Sequence, residues 1–260
     1  MRNMGQFDKA LASLNKAIAL HPEYLGYNFL KGGIYTQLGD PEAVQEIHDK
    51  LADSGASEWM LGFNDAHISF IKEDSTGTRE TINWLIAQIH GGYGMHLRLG
   101  SIALAQGDIQ LSREIYLSTE PRWLEPDQWP ALMGSDWWGN QTGCIVAWLY
   151  LNTGDQELGT ALLQQATAYI EDSLPLVTEH PDQSFPETCY LTAGDTEKAL
   201  LSIETQLAHN HLMDWYIVHQ MPMYDQIRHE PRYQAVWAER ERRISVQREN
   251  VEKMAADTQP

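Results

Sequence analysis

The sequence predicts an all-α protein built from a repeated helical hairpin. A Gly-Asp pair follows an apolar stretch at four places, which begin at Gly39, Gly107, Gly154 and Gly194. Gly5 lies 34 residues before Gly39, and Gly107 lies 68 residues after it, which is twice the same distance. A fixed period of about 34 residues is typical of stacked helical hairpins. Apolar residues with helical spacing fill the stretches between these turns.

The first predicted helix lies in the stretch FDKALASLNKAIALHP. Ala10, Leu14 and Ala17 recur at i, i+4 and i+7, which places them on one face of a helix. Pro22 ends the helix, because its ring cannot continue the ladder of hydrogen bonds. The stretch TEKALLSIETQLA repeats this stripe with Ala199 and Ile203.

The partner helices carry glycines at the positions where two helices approach closely. In YNFLKGGIYTQLGD this residue is Gly32, and in MHLRLGSIALAQGD it is Gly100. A small residue lets the second helix pack near the backbone of the first. Residues 59–92 match the small-residue positions poorly, so we expect a degenerate hairpin there. Its missing turn is expected at residue 73, within the polar stretch EDSTG.

These positions resemble the tetratricopeptide repeat (TPR) family, through Leu99, Gly100 and Ala103 of one helix and Ala10, Leu14, Ala17 and Pro22 of another. The resemblance implies a right-handed α-solenoid of about six helical hairpins with a C-terminal capping helix. It implies one domain over residues 1–249, followed by a flexible tail at 250–260. The expected units are 1–24, 25–58, 59–92, 93–126, 140–178 and 180–210, with the cap at 211–249.

The C-terminal region, residues 221–254, resembles the end of the TPR region in certain bacterial multidomain proteins. These are membrane-linked winged-helix regulators and adenylate cyclases with a TolB-like segment. The matching residues are Pro222, Tyr224, Asp225, Ile227, Arg228, Pro231, Arg232 and Tyr233. This resemblance implies a sensory or interaction module. Because the chain starts on the second helix of a unit, either an upstream region is missing or this helix pairs with the next unit alone, and we favour a truncated or shortened reading frame.

The charge of the chain restricts its partners. The formal net charge is −18, and residues 1–227 hold 11 Lys and Arg against 30 Asp and Glu. An acidic body repels phosphate backbones, so we expect no nucleic-acid partner, and a protein or peptide partner that is basic or neutral. No apolar run of about 18 residues exists, so no membrane insertion is expected. The predicted compartment is the cytoplasm for a complete chain, or the periplasm for a fragment of a membrane-anchored protein; the oligomeric state stays open.

Motifs for catalysis are missing from the sequence. It has no GxSxG, no Gly-rich phosphate loop and no HExxH, so we expect no catalytic residue, no cofactor and no enzyme. His209, His211 and His219 invite a metal hypothesis, but no third ligand has a helical spacing from the close pair, so no metal is expected. Cys144 and Cys189 do not have a zinc spacing, and we expect both to be buried free thiols.

The predicted binding residues come from the repeat register and from a tryptophan-rich insertion. The inner face of the first helices should carry Phe29, Phe63, His67, Leu97, Trp148 and Asn152, although each aromatic residue could equally belong to the core between helices. The insertion at 121–141 holds Trp123, Trp129, Trp137 and Trp138. These indoles either seal the gap between two units or line a site, and we place Trp137 and Trp138 beside Trp148.

The sequence therefore predicts a protein–protein interaction module or sensory scaffold. A concave groove should bind a partner peptide or helix. The alternative is a small-molecule or enzymatic pocket formed by the insertion at 121–141.

Overall fold

The protein is all-α in the residues that its computed structural model describes, which are 5–88, 93–134, 139–179, 186–212 and 214–256. No β-strand occurs in these ranges, and none of their helices is long and apolar enough to cross a membrane. The helices are α1 Phe7–Leu20, α2 Gly26–Leu38, α3 Pro41–Asp53, α4 Glu58–Ile71, α5 Ser75–Gln88, α6 Tyr93–Ala105, α7 Ile109–Thr119, α8 Trp129–Met133, α9 Gly139–Asn152, α10 Gln156–Glu179, α11 Pro186–Ala193, α12 Thr196–Ala208, α13 Trp215–Val218 and α14 Pro231–Ala256.

Consecutive helices pack as pairs, as the repeat predicted. The pairs are α2 with α3, α4 with α5, α6 with α7, α9 with α10, and α11 with α12. The chain forms two compact units. Unit 1 comprises Met1–Gly91, Leu212–Tyr216 and Glu239–Pro260, and unit 2 comprises Gly92–His211 and Ile217–Ala238.

The Gly-Asp pairs form the turns inside the hairpins. Gly39, Gly107 and Gly194 have φ angles of 65°, 78° and 77°, the left-handed region that glycine enters without steric cost. In each turn the following aspartate begins the next helix, and the Asp40 carboxylate accepts a hydrogen bond from the Ala43 N–H at 2.9 Å. Glycine thus ends one helix, and aspartate caps the next.

The turn expected at residue 73 exists and has the same geometry without a glycine. Glu73 lies in the left-handed region at a φ of 58°. The Asp74 N–H donates to the Ser69 carbonyl at 2.9 Å, as the Asp40 N–H does to the Tyr35 carbonyl at 3.1 Å. The turn pattern therefore outweighs the unfavourable conformation of this one glutamate.

The hairpin of residues 59–92, expected to be degenerate, forms a packed pair over its described residues. Its close approach uses Gly62, where an added Cβ would lie 2.6 Å from the Trp84 ring and 3.0 Å from the Leu85 side chain. Ala66 is fully buried one turn later. The small residues are present, but Gly62 lies one turn before the position that the repeat predicted.

Unit 1 includes the end of the C-terminal helix, which packs against α1. The Asn250 side-chain amide donates to the Asp8 carboxylate at 3.2 Å, and the Asp8 N–H donates to Gln247 Oε1 at 3.2 Å. The Arg248 guanidinium donates to the carbonyl of Leu38, the last residue of α2. The segment expected to be a tail from residue 250 begins with the end of α14, which continues to Ala256 and buries Val251.

The start of α14 belongs to unit 2. Pro231 is its first residue, a position where the missing N–H costs nothing. Tyr233 and Val236 are buried, and the Trp237 ring stacks on His219 with centroids 3.6 Å apart. This apolar stripe is what holds the first turns of α14 within unit 2.

The two cysteines differ from the prediction of free thiols. Cys144 of α9 and Cys189 of α11 form a disulfide bond, with their Cα atoms 4.9 Å apart. This separation lies in the usual range for disulfides. The prediction was wrong because 45 residues separate the cysteines, a spacing that carries no local signal of their proximity.

Candidate functional site

A cluster of half-buried aromatic rings lies on α2 and α4 of unit 1. The Phe29 ring of α2 contacts the Trp59 and Phe63 rings of α4, with centroid distances of 5.4 and 5.6 Å. Trp59 and Phe63 are four residues apart and so share one face of α4. We call Phe29, Trp59 and Phe63 the aromatic surface. Since each ring keeps part of its area in solvent, the cluster offers apolar contact area to a partner.

His67 supports this surface from below. Its Nδ1–H donates to the Phe63 carbonyl at 2.8 Å, and its ring lies 4.6 Å from the Phe63 ring, centroid to centroid. Only 3% of the residue is exposed, so a partner would have little access to the imidazole. Of the predicted binding residues, Phe29, Phe63 and His67 lie together in unit 1, with His67 under the aromatic surface.

An open space beside the aromatic surface lies over Gly33. A Cβ added to this residue would meet no atom within 4 Å, although Gly33 is in the middle of α2. The neighbouring Gly32 faces the packed side, where an added Cβ would lie 3.3 Å from Ile47 and 3.4 Å from Asn64. Gly33 is one turn after Phe29 and therefore lies on the same face of the helix. This face of α2 is thus open to solvent where a side chain would otherwise stand.

The far end of this face is covered by the chain itself. The Gln37 side-chain Nε2 donates to the Asp214 carboxylate at 2.7 Å, and Gln37 Oε1 accepts from the Asp214 backbone N–H at 2.7 Å. On α4, the Phe70 ring lies 6.0 Å from Tyr216. Gln37 and Phe70 are close to the C-terminal ends of α2 and α4. The exposed part of the face is therefore limited to the turns that carry the aromatic surface and Gly33.

The charge of this region is negative. Residues 1–91 contain seven Lys and Arg and twelve Asp and Glu, a difference of five negative charges. Asp65 lies on α4 two residues beyond Phe63, and its carboxylate is 3.3 Å from His48 Nε2 of α3. Burial raises the pKa of Asp65, and the nearby imidazole opposes this change. The His48–Asp65 contact joins α3 to α4 and so helps to position the helix that carries Trp59 and Phe63.

The remaining predicted residues belong to unit 2, and they differ in how far their side chains are buried. Leu97 is 5% exposed, and its carbonyl accepts a hydrogen bond from the Tyr116 hydroxyl at 3.2 Å. Trp148 is half-buried on α9, and its carbonyl accepts from the exposed Asn152 side chain at 2.8 Å. Trp137 and Trp138 lie outside the described residues. Of these, only Trp148 and Asn152 have side chains that reach solvent in the described part of unit 2.

The first half of the tryptophan-rich insertion is core. Trp123 and Trp129 are almost completely buried. The Trp123 carbonyl accepts hydrogen bonds from the Trp129 indole at 2.8 Å and from the Tyr150 hydroxyl at 3.0 Å. Burial raises the pKa of Tyr150 to about 12. These indoles seal the helix pairs, which was the first of the two interpretations that the sequence left open.

The histidines that raised a metal hypothesis do not converge. Within the described ranges, no group of three or more His, Cys, Asp or Glu side chains is arranged to hold a metal ion. His209 Nδ1–H donates to the Thr205 carbonyl at 2.8 Å, and His211 is buried. His219 packs on Trp237 of α14. Each of these rings therefore has a separate structural environment.

Two residues of the candidate site were not among the predicted ones. Trp59 lies four residues before Phe63, so the stripe of Trp59, Phe63 and His67 is visible in the sequence. Gly33 follows Gly32, which the repeat register placed at the packed position, so the register leaves Gly33 on another face of the helix.

Comparison of the chain with protein-family models, with curated proteins and with solved structures finds no match. The function is therefore argued from the geometry of the described residues.

Proposed function

We propose that unit 1 binds a short segment of a partner protein over the aromatic surface and the open space at Gly33. The single observation that supports this most is the cluster of three half-exposed rings together with the open space over Gly33, one turn after Phe29. Aromatic residues anchor many protein interfaces, because they bury a large area at little cost in side-chain entropy. A backbone without a side chain lets a second chain approach closely.

The partner segment should be basic and carry at least one apolar side chain. The acidic excess of residues 1–91 favours Lys and Arg through long-range attraction. The faces of Phe and Trp rings also attract cations at short range. Because Asp214 and Tyr216 cover the far end of the face, a short extended segment fits this surface better than a long helix.

The proposal also includes the type of helical repeat. The 34-residue recurrence of Phe29 and Phe63, and of Gly39, Glu73 and Gly107, supports TPR-like repeats stacked as a right-handed solenoid. A sensory or scaffold role follows, as in the bacterial regulators that the C-terminal sequence resembles. The alternative of a pocket in residues 121–141 has less support, because Trp123 and Trp129 are core.

The test measures the binding of synthetic peptides to the full chain. The probes are chosen from an array of peptides of about 12 residues, the length of an extended interface segment. The peptides differ in their content of Lys and Arg, and each is made with and without an aromatic residue. Their dissociation constants are then measured by calorimetry. We expect binding that requires basic residues and weakens as salt rises.

Three variants locate the site. Trp59→Ala should weaken binding by roughly 30-fold or more, as the loss of an interface anchor does. Gly33→Leu should fill the open space over α2 and block binding without unfolding the chain, since its side chain would meet no atom near the backbone. Leu201→Ala is the matched control, because Leu201 is an exposed apolar residue of unit 2. Equal affinities for wild type and Gly33→Leu would refute this site, and an array without any binder would refute the function.

A further inference from the structure

The disulfide connects two helices that belong to consecutive hairpins of unit 2. Cys144 lies on α9, which pairs with α10, and Cys189 lies on α11, which pairs with α12. The bond closes a loop with a sequence separation of 45 residues that contains the whole of α10. A cross-link of this kind restricts the unfolded chain more than the folded one. It therefore fixes the packing of one hairpin on the next.

Both cysteines are completely buried, at 0% exposure. Around them, α9 buries Ile145 and Ala147, and α11 buries Thr188 and Tyr190. A thiolate outside the protein cannot reach either sulfur while α9 and α11 stay packed, and reduction needs such an attack. Once formed, the bond is protected until unit 2 opens.

We propose that this chain folds in an oxidising compartment and that the Cys144–Cys189 bond locks α9 against α11 there. During folding each thiol loses one hydrogen. The two electrons pass to the disulfide of a thiol–disulfide oxidoreductase, which leaves as a dithiol. Structural disulfides persist in such compartments and are rare where glutathione and thioredoxin keep thiols reduced. Trp148 lies one turn after Cys144 on α9, so the bond also fixes the helix turn that carries this indole.

The test uses the full chain, unfolded in urea with reductant and then refolded in two ways. One sample refolds with oxidised glutathione and a thiol–disulfide oxidoreductase, and the other refolds with reductant. Each sample is denatured again and treated with a maleimide, which adds mass to free thiols. The mass of the chain is then measured by mass spectrometry. We expect no modified thiol in the first sample and two in the second. Two free thiols in the first sample, or one thiol bound to glutathione, would overturn the pairing.

The locking effect is measured on the same two samples. Loop closure predicts that the oxidised chain melts roughly 8–15 °C above the reduced chain. The variant with Cys144→Ala and Cys189→Ala should melt at one temperature under both conditions, which controls for other effects of the reductant. Equal melting temperatures of oxidised and reduced wild type would show that the bond locks nothing. That result would leave the proposed peptide site on unit 1 unaffected.

Discussion

Gly100 provides the sharpest test of the helix packing, because two glycines of this protein should respond to alanine in opposite ways. A Cβ on Gly100 of α6 would lie 2.7 Å from Cε2 of Tyr116 on α7 and 3.0 Å from its Cδ2. The Tyr116 ring is buried and cannot move freely. Its hydroxyl hydrogen-bonds Ser101 Oγ at 2.9 Å and donates to the Leu97 carbonyl at 3.2 Å.

The expected change follows from three contributions. Overpacking of this kind costs roughly 1–3 kcal/mol. Displacing the Tyr116 ring weakens two hydrogen bonds, each with a net contribution of about 1 kcal/mol. Alanine recovers about 1 kcal/mol through its higher helix propensity. Gly100→Ala should therefore lower the free energy of unfolding by roughly 2 kcal/mol, which corresponds to a fall in melting temperature of about 4–8 °C.

Gly33→Ala is the matched control. The same substitution, also inside a helix, meets no atom within 4 Å. Only the propensity gain remains, so the free energy of unfolding should rise by up to about 1 kcal/mol. Urea unfolding followed by circular dichroism measures both variants. If Gly100→Ala proves as stable as Gly33→Ala, the close approach of α6 and α7 at Tyr116 is refuted.

Two further predictions concern the turn at residue 73 and the end of α14. Glu73→Gly should raise the free energy of unfolding by about 1 kcal/mol in urea unfolding, because glycine adopts the left-handed conformation without strain. Gly107→Ala should lower the free energy of unfolding by a similar amount. If both variants are as stable as the wild type, the turn geometry is contradicted. Ending the chain after Glu249 should cost roughly 1–3 kcal/mol by the same measurement, since it removes buried Val251 and the Asn250–Asp8 hydrogen bond. A shortened chain with an unchanged midpoint in urea would mean that α14 contributes nothing there.

The hairpins and their turns could be predicted because their signals are local. A glycine in the left-handed conformation and an aspartate that caps the next helix are each a property of a few adjacent residues, as at Gly39 and Asp40. The repeat then located the turn at Glu73, where the glycine itself is missing. At residues 59–92 the position one period after Gly32 is the buried Ala66, and Gly62, one turn earlier, lies close to Trp84 and Leu85 without a counterpart in the repeat.

The features that escaped prediction depend on residues far apart in sequence. Asp8 binds Asn250, Gln37 binds Asp214, and Cys144 bonds Cys189. None of these pairs has a spacing or composition that marks it, since their proximity results from the packing of many helices. The separation of 34 residues did place Phe29 beside Phe63. The same register put Leu97 on the list of binding residues, although its side chain is buried in unit 2.

The contact between Asp8 and the last turns of α14 has a consequence for the order in which the protein is made. A ribosome releases α1 long before it reaches Asn250, and the two residues are separated by 242 positions. At roughly 5–20 residues per second, about 10–50 s pass before the residues of α14 that bond Asp8 are made. Unit 1 can build its hairpins during this interval, but it reaches its final form only after synthesis has passed through all of the hairpins of unit 2. The hydrogen bonds that Asp8 forms with Gln247 and Asn250 are therefore among the last contacts of unit 1 to form.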